Sequence, residues 1–175
     1  MKVLRFLGKL LVVLAFGVGL FFAAVRLHDG PYGMVAGGPL ASGDWVTDPY
    51  ADMRFARDLS TIEFQLLEPA RSRTTWVAEY QGRLFIPSGY MNGTLGKLWK
   101  HWPHEASADG RVVARINGKR YPRQLVRVMS GPEVPAVLAE LQRKYQVQGT
   151  PDIVTSGDLW LFEMVPRTPA PQELQ

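Results

Sequence analysis

The chain contains no cysteine. That absence removes disulfides, thiolate metal sites, covalent c-type haem, a lipid-acylation box and any thiol nucleophile. Histidine is scarce as well, at His28, His101 and His104. Pro103 disrupts the helix that would align His101 with His104, and His28 stands beside an apolar run, so no metal site is expected. Gly-x-Ser-x-Gly, the phosphate-binding loop and the dinucleotide fingerprint are all missing. Asp44, Asp48, Asp52 and Asp58 do not follow calcium-loop spacing and suit turns instead. There is no internal repeat, and after one N-terminal segment no stretch is apolar and long enough to cross a bilayer.

An excess of one charge is also lacking where it would matter. The formal net charge is +4, but Lys2, Arg5 and Lys9 flank or enter the apolar run, and from Arg26 onward 17 bases face 16 acids. No nucleic-acid partner is expected of so balanced a domain. The charge is unevenly spread, however: Asp29 to Glu68 carries seven acids and two arginines, whereas Lys97 to Arg127 carries eight bases and two acids. A cationic face for an anion is one reading, with Arg111 and Arg115 sharing a strand face. The favoured reading is strand faces that pair with the acidic segment.

What is present begins with Phe6 to Leu27, FLGKLLVVLAFGVGLFFAAVRL. At the helical rise this covers roughly 33 Å, enough for a bilayer core of about 30 Å if Lys9 snorkels to the headgroups. A cleaved signal peptide would have a shorter run and a small-x-small exit, but the exit here reads Phe22-Ala23-Ala24-Val25-Arg26. The expectation is a retained single anchor in the lipid bilayer. The basic flank puts the N-terminus in the cytoplasm and exports the rest to the periplasmic or outer side of a bacterial inner membrane.

The organisation read from the chain is a flank and anchor at 1–28, a Gly/Pro/Asp-rich leader at 29–59, a domain at 60–166 and a disordered tail at 167–175. Trp45, Tyr50 and Phe55 are expected to pin the leader, with a helical turn possible between Asp52 and Leu59. Ser60 to Glu68 alternates, with Ile62, Phe64 and Leu66 on the buried face. Thr74 to Tyr80 reads as one strand, which Gln81-Gly82 turns into Arg83 to Ile86. Thr94 caps an expected helix with Leu95, Leu98, Trp99 and Trp102 on one face, ending near Pro103.

Arg111 to Ile116 and Arg120 to Met129 form two further strands around Asn117-Gly118. A two-residue loop sets Val112 opposite Arg123. A three-residue loop with Gly118 at positive φ sets Val112, Ala114 and Ile116 opposite Gln124, Pro122 and Arg120, and this second register is expected. Ser130 to Glu133 reads as a capping box for a helix with Val134, Val137, Leu138, Leu141 and Tyr145 inward, closed by Gly149-Thr150-Pro151. Leu159 to Val165 is the last strand. The sum is mainly β with α, six antiparallel strands and two helices, most simply closed as a small barrel.

The strand-turn-strand TTWVAEYQGRLFIPSG, the helix KLWKHW and the pair DGRVVARINGKRYPRQLVRV resemble the FMN-binding split-barrel superfamily. That group includes pyridoxamine-phosphate-oxidase-like and deazaflavin-dependent nitroreductase-like proteins; this chain looks like a membrane-anchored variant. The resemblance implies a split barrel, FMN or deazaflavin as possible cofactors, and a possible homodimer. It also implies a phosphate held by Ser88 at a strand end and by Lys97 or Lys100 on the next helix. Two functions follow. One is a non-catalytic accessory or assembly subunit of an integral membrane protein complex, which is the favoured expectation. The other is a flavin- or deazaflavin-binding oxidoreductase. The sequence itself names no catalytic residue.

Overall fold

The computed structural model describes residues 2–93 and 100–174. Its first element, α1, is the helix Lys2–Leu27. The Val3–Leu27 part is long and apolar enough to cross a membrane. Its described side chains are exposed except that of Val25, the reverse of a soluble core helix, whose apolar stripe would be covered. Immediately after α1 the chain folds back. Gly38 N–H donates to His28 O at 3.1 Å, and the Tyr32 ring meets the Phe21 ring edge-on at 6.1 Å. Met34 is fully exposed beside it.

The leader is bonded to the domain mainly through its backbone. Leu40 N–H donates to the buried Gln65 Oε1 at 2.6 Å, and the Ser72 hydroxyl to Gly38 O at 2.6 Å. Within the leader, β1 (Asp44–Trp45) runs parallel to the start of β7 (Lys119–Val128). Trp45 pins the segment as expected, because the Arg120 guanidinium sits 4.3 Å over its ring. Phe55, though half exposed, holds its ring 6.5 Å from that of the core residue Tyr121. Tyr50 does not pin the leader, being 88% exposed. Met53 and Ala56, flanking and ending a 3-10 turn at Arg54–Ala56, enter the core as well.

The domain contains β2 (Thr61–Leu66), β3 (Arg71–Trp76), β4 (Ala78–Tyr80), β5 (Arg83–Ser88), β6 (Arg111–Ile116), β7 and β8 (Trp160–Pro166). These seven strands follow the order β3-β2-β6-β7-β8-β5-β4, every neighbouring pair antiparallel. With β1 the described residues hold eight strands, not the expected six. Part of the excess is β1. The rest arises because the single strand expected over Thr74 to Tyr80 is broken at Val77, giving β3 and β4. Those two occupy opposite ends of the strand order, yet one residue separates them in sequence. The sheet must therefore curl until its edges meet at Val77, which gives a curled, barrel-like antiparallel sheet.

Alternation along the strands sends one set of side chains inward. Ile62, Phe64, Leu66, Leu84, Ile86, Val112, Ala114, Ile116, Tyr121, Leu125, Phe162 and Met164 form the interior. Each large one contributes roughly 1.5–3 kcal/mol relative to exposure. The opposite face of β4, β5 and β8 is covered by the helix α3 (Val134–Tyr145). Phe85, Ala78 and Leu161 pack there with Val134, Val137, Leu138 and Leu141.

Three connections depart from expectation. First, residues 94–99, where the expected helix falls, lie outside the described residues; the helix α2 runs Trp102–Ala108. Pro103 sits in its first turn and opens it, since a missing N–H costs nothing there. Second, the turn between β6 and β7 has two residues, not three. Asn117 (φ 49°) and Gly118 (φ 72°) both take the positive φ that a two-residue type I′ hairpin demands, so Val112 faces Arg123 and Ala114 faces Tyr121. Third, α3 spans Val134–Tyr145 with Glu133 as its cap residue and no capping side-chain bond. The expected Ser130 box does not form, and Gln146 in the left-handed region ends the helix before Gly149. A further turn, α4 (Asp152–Thr155), precedes β8. In the tail, which composition marks as unpacked, Arg167 Nη1 donates to Glu173 Oε1 at 2.9 Å beside a 3-10 turn at Pro171–Leu174.

Candidate functional site

The interior face of the barrel carries polar groups near both ends of β8. At the first end Ser88 pairs with Trp160, and at the second Arg123 pairs with Pro166.

Ser88 and Lys100, two of the three residues that the resemblance implies for a phosphate, are among the described residues. Ser88 is 4% exposed and its hydroxyl points to Met91 Sδ at 3.4 Å. The Lys100 ammonium donates to Gly89 O, one residue on, at 2.6 Å, and lies 5.8 Å from the Tyr90 ring centre. Burial holds its pKa below the usual lysine value. Ser88 and Lys100 are thus each bonded within the protein. Lys97 lies outside the described residues. No chemical step is assigned to a flavin.

The aromatic groups beside Ser88 are packed rather than offered. Trp102 meets Phe64 at 5.1 Å and Phe162 at 5.5 Å, as core packing requires; Trp99 is outside the described residues. Trp160 is covered on one side by Arg127, 3.6 Å from its ring centre, and approached by His104 at 4.8 Å. The buried Arg127 Nε has no acceptor among the described residues, and burial lowers the pKa of its guanidinium.

Arg111 and Arg115, which could have formed a cationic face, are instead paired with acids, the favoured reading. Arg115 Nε donates to Glu63 at 2.6 Å and its Nη1 to Asp29 at 2.8 Å. Arg111 is held by Asp109 at 2.6 Å. A cavity of about 360 Å³ beside Thr61, Glu63, Thr74 and Arg115 is therefore bordered by a cation already paired.

The other end differs. A second cavity of about 330 Å³ opens between the leader at Pro49–Arg54 and the barrel, with Gln81-Gly82, Leu84, Met164 and Arg123 on its walls. Arg123 is 2% exposed and is the largest fully buried side chain described. Among the described residues only its Nη1 meets an acceptor, the neighbouring Pro122 O at 3.2 Å, and no carboxylate lies within ion-pair distance of it. Desolvation pushes its pKa down, partly offset by Tyr121 and Asp48. Such burial is costly for an unpaired cation. The two-residue reading of Asn117-Gly118 was the sequence signal for this inward arginine, since that register alone turns Arg123 to the core beside Tyr121 and Leu125.

No protein-family model matches the chain, and no curated protein matches it. Among solved structures the chain is similar to a Listeria innocua protein named "Putative Pyridoxamine 5'-phosphate oxidase", at 11% identity and a TM-score of 0.43, over 61% of this chain and 82% of that one.

Proposed function

We propose that the chain is a membrane-tethered barrel acting by binding, as a non-catalytic accessory or assembly subunit of an integral membrane protein complex. The observation that carries this reading is the internal use of the groups that a flavin phosphate would need: Ser88 on Met91 and Lys100 on Gly89. A tether keeps the domain at high local concentration beside integral partners. Lys2 and Arg5 ahead of the run, with Lys9 near its start, support a cytoplasmic N-terminus and a domain on the outer side of a bacterial inner membrane. Crosslinking in native membranes followed by mass spectrometry tests the reading. One integral membrane protein should recur with this chain; recovery of the chain alone, or only of its homodimer, would sink it.

A flavin or deazaflavin oxidoreductase of the split-barrel type is the second reading. It is favoured by Arg127, whose Nε is free of an acceptor among the described residues on the ring that pairs with Ser88. Under that reading Ser88→Ala combined with Lys97→Ala abolishes cofactor retention, and unchanged retention removes it.

A further inference from the structure

We infer that the cavity at Arg123 is a binding site for a small organic monocarboxylate. Three observations converge on it. The guanidinium is buried yet, among the described residues, meets a single acceptor, a backbone carbonyl at 3.2 Å. The cavity beside it measures about 330 Å³, within the size range of small-molecule sites. Its other charged walls are already matched: Arg83 Nε donates to Glu163 at 2.7 Å, and Asp52 accepts the Arg54 N–H at 3.0 Å with the Arg54 Nε 3.7 Å away. Arg123 is left as the one cation on these walls without a counter-charge.

The chemistry of the lining narrows the ligand. One unmatched positive charge calls for one negative charge, so a dianion such as a phosphate monoester would leave a surplus. A guanidinium presents parallel N–H donors that suit the two oxygens of a carboxylate. Pro49, Ala51, Met53, Leu84 and Met164 supply apolar surface, which suits a short hydrocarbon body behind that carboxylate.

Asp48 is the internal competitor. Its charge acts on Arg123, but its carboxylate accepts the Tyr50 N–H at 2.9 Å in the exposed leader. Swung inward, Asp48 would occupy the place assigned to the ligand. Asp48→Asn therefore separates a ligand site from a self-contained ion pair.

The test is ligand-observed NMR on the full-length protein in detergent, with butyrate as probe and uncharged butyramide as control. Butyrate should show saturation transfer and butyramide none. Arg123→Met should weaken butyrate binding by at least about thirtyfold without lowering the melting temperature, because an apolar side chain of similar length removes a buried unpaired charge. Arg123→Lys, which keeps the charge and loses the fork, should weaken it as well, and Asp48→Asn should leave binding intact or tighten it. Equal saturation transfer in wild type and Arg123→Met would overturn the site. So would binding by Asp48→Asn but not by wild type, since Arg123 would then be neutralised from within the chain, and so would failure of both, since no carboxylate site would then remain.

Discussion

Arg115 ties together segments far apart in the chain, bonding Asp29 from the leader and Glu63 from β2. Burial pushes the Asp29 carboxyl up, but the Ser42 hydroxyl, the Ala41 and Ser42 amides and Arg115 outweigh it and hold it at about 2. A carboxyl depressed in the fold contributes stability that is complete above its unfolded value of 3.8 and lost as pH falls toward about 2. The shift has an upper bound of about 2 kcal/mol. Because Asp29 is 37% exposed, solvent screening reduces this to about 1 kcal/mol. Asp29→Asn should therefore lower stability by that amount at neutral pH and flatten the acid limb of a melting-temperature profile. The limb should not vanish, since Arg111, Arg143 and Arg167 likewise hold down Asp109, Glu140 and Glu173. An unchanged limb would show that the Asp29–Arg115 pair contributes nothing. At this scale the sequence was half legible. Its charge asymmetry anticipated Arg115 pairing with acids. It could not show that Met91 and Gly89 engage Ser88 and Lys100, because those partners are set by the local path of the loop after β5.

Among the elements, the break at Val77 decides the shape of the sheet. Tyr145, at the end of α3, secures it. Its ring stacks on Trp76 at 4.5 Å, and its hydroxyl lies 2.9 Å from Val77 O and accepts the Val77 N–H at 3.0 Å. The same oxygen lies 2.7 Å from Ser60 O. Tyr145→Phe keeps the stack and removes these bonds, so chemical denaturation should show a loss of about 2 kcal/mol with the fold retained; no loss would mean that the break stands without its hydroxyl. The β6–β7 turn gives a second check. A side chain at Gly118 would meet open space, so Gly118→Val should cost only the backbone strain of its φ of 72°, about 1–2 kcal/mol. Strands β2, β6 and β8 were readable within a residue or two, because period-2 alternation of Ile, Phe, Leu and Val is a strong local signal. The break at Val77 was not readable. Trp76, Val77 and Ala78 form a continuous apolar run, and its bend depends on Tyr145, distant in sequence. Register failed for a related reason: pairing by apolar matches rejected the inward Arg123, whereas the turn chemistry of Asn117-Gly118 selected it.

For the molecule as a whole, the exposed apolar surface of α1 and the compact domain behind it make a chain with one membrane-competent end. The absence of native cysteine allows its orientation to be read with single introduced thiols. In intact cells Ala108→Cys, on the exposed end of α2, should react with a membrane-impermeant maleimide, whereas Val3→Cys should react only after lysis. The opposite pattern would place the barrel in the cytoplasm. The long apolar helix was legible because bilayer thickness imposes a length that few other segments reach. The function was not, because a barrel carries chemistry only where side chains are left free to act. The most direct test of an accessory rather than a flavin-dependent role is an absorbance spectrum of the full-length protein extracted gently in detergent, before and after incubation with FMN or a deazaflavin. The account predicts a colourless protein that stays colourless after removal of free cofactor. A retained flavin or deazaflavin chromophore that Ser88→Ala removes would contradict it.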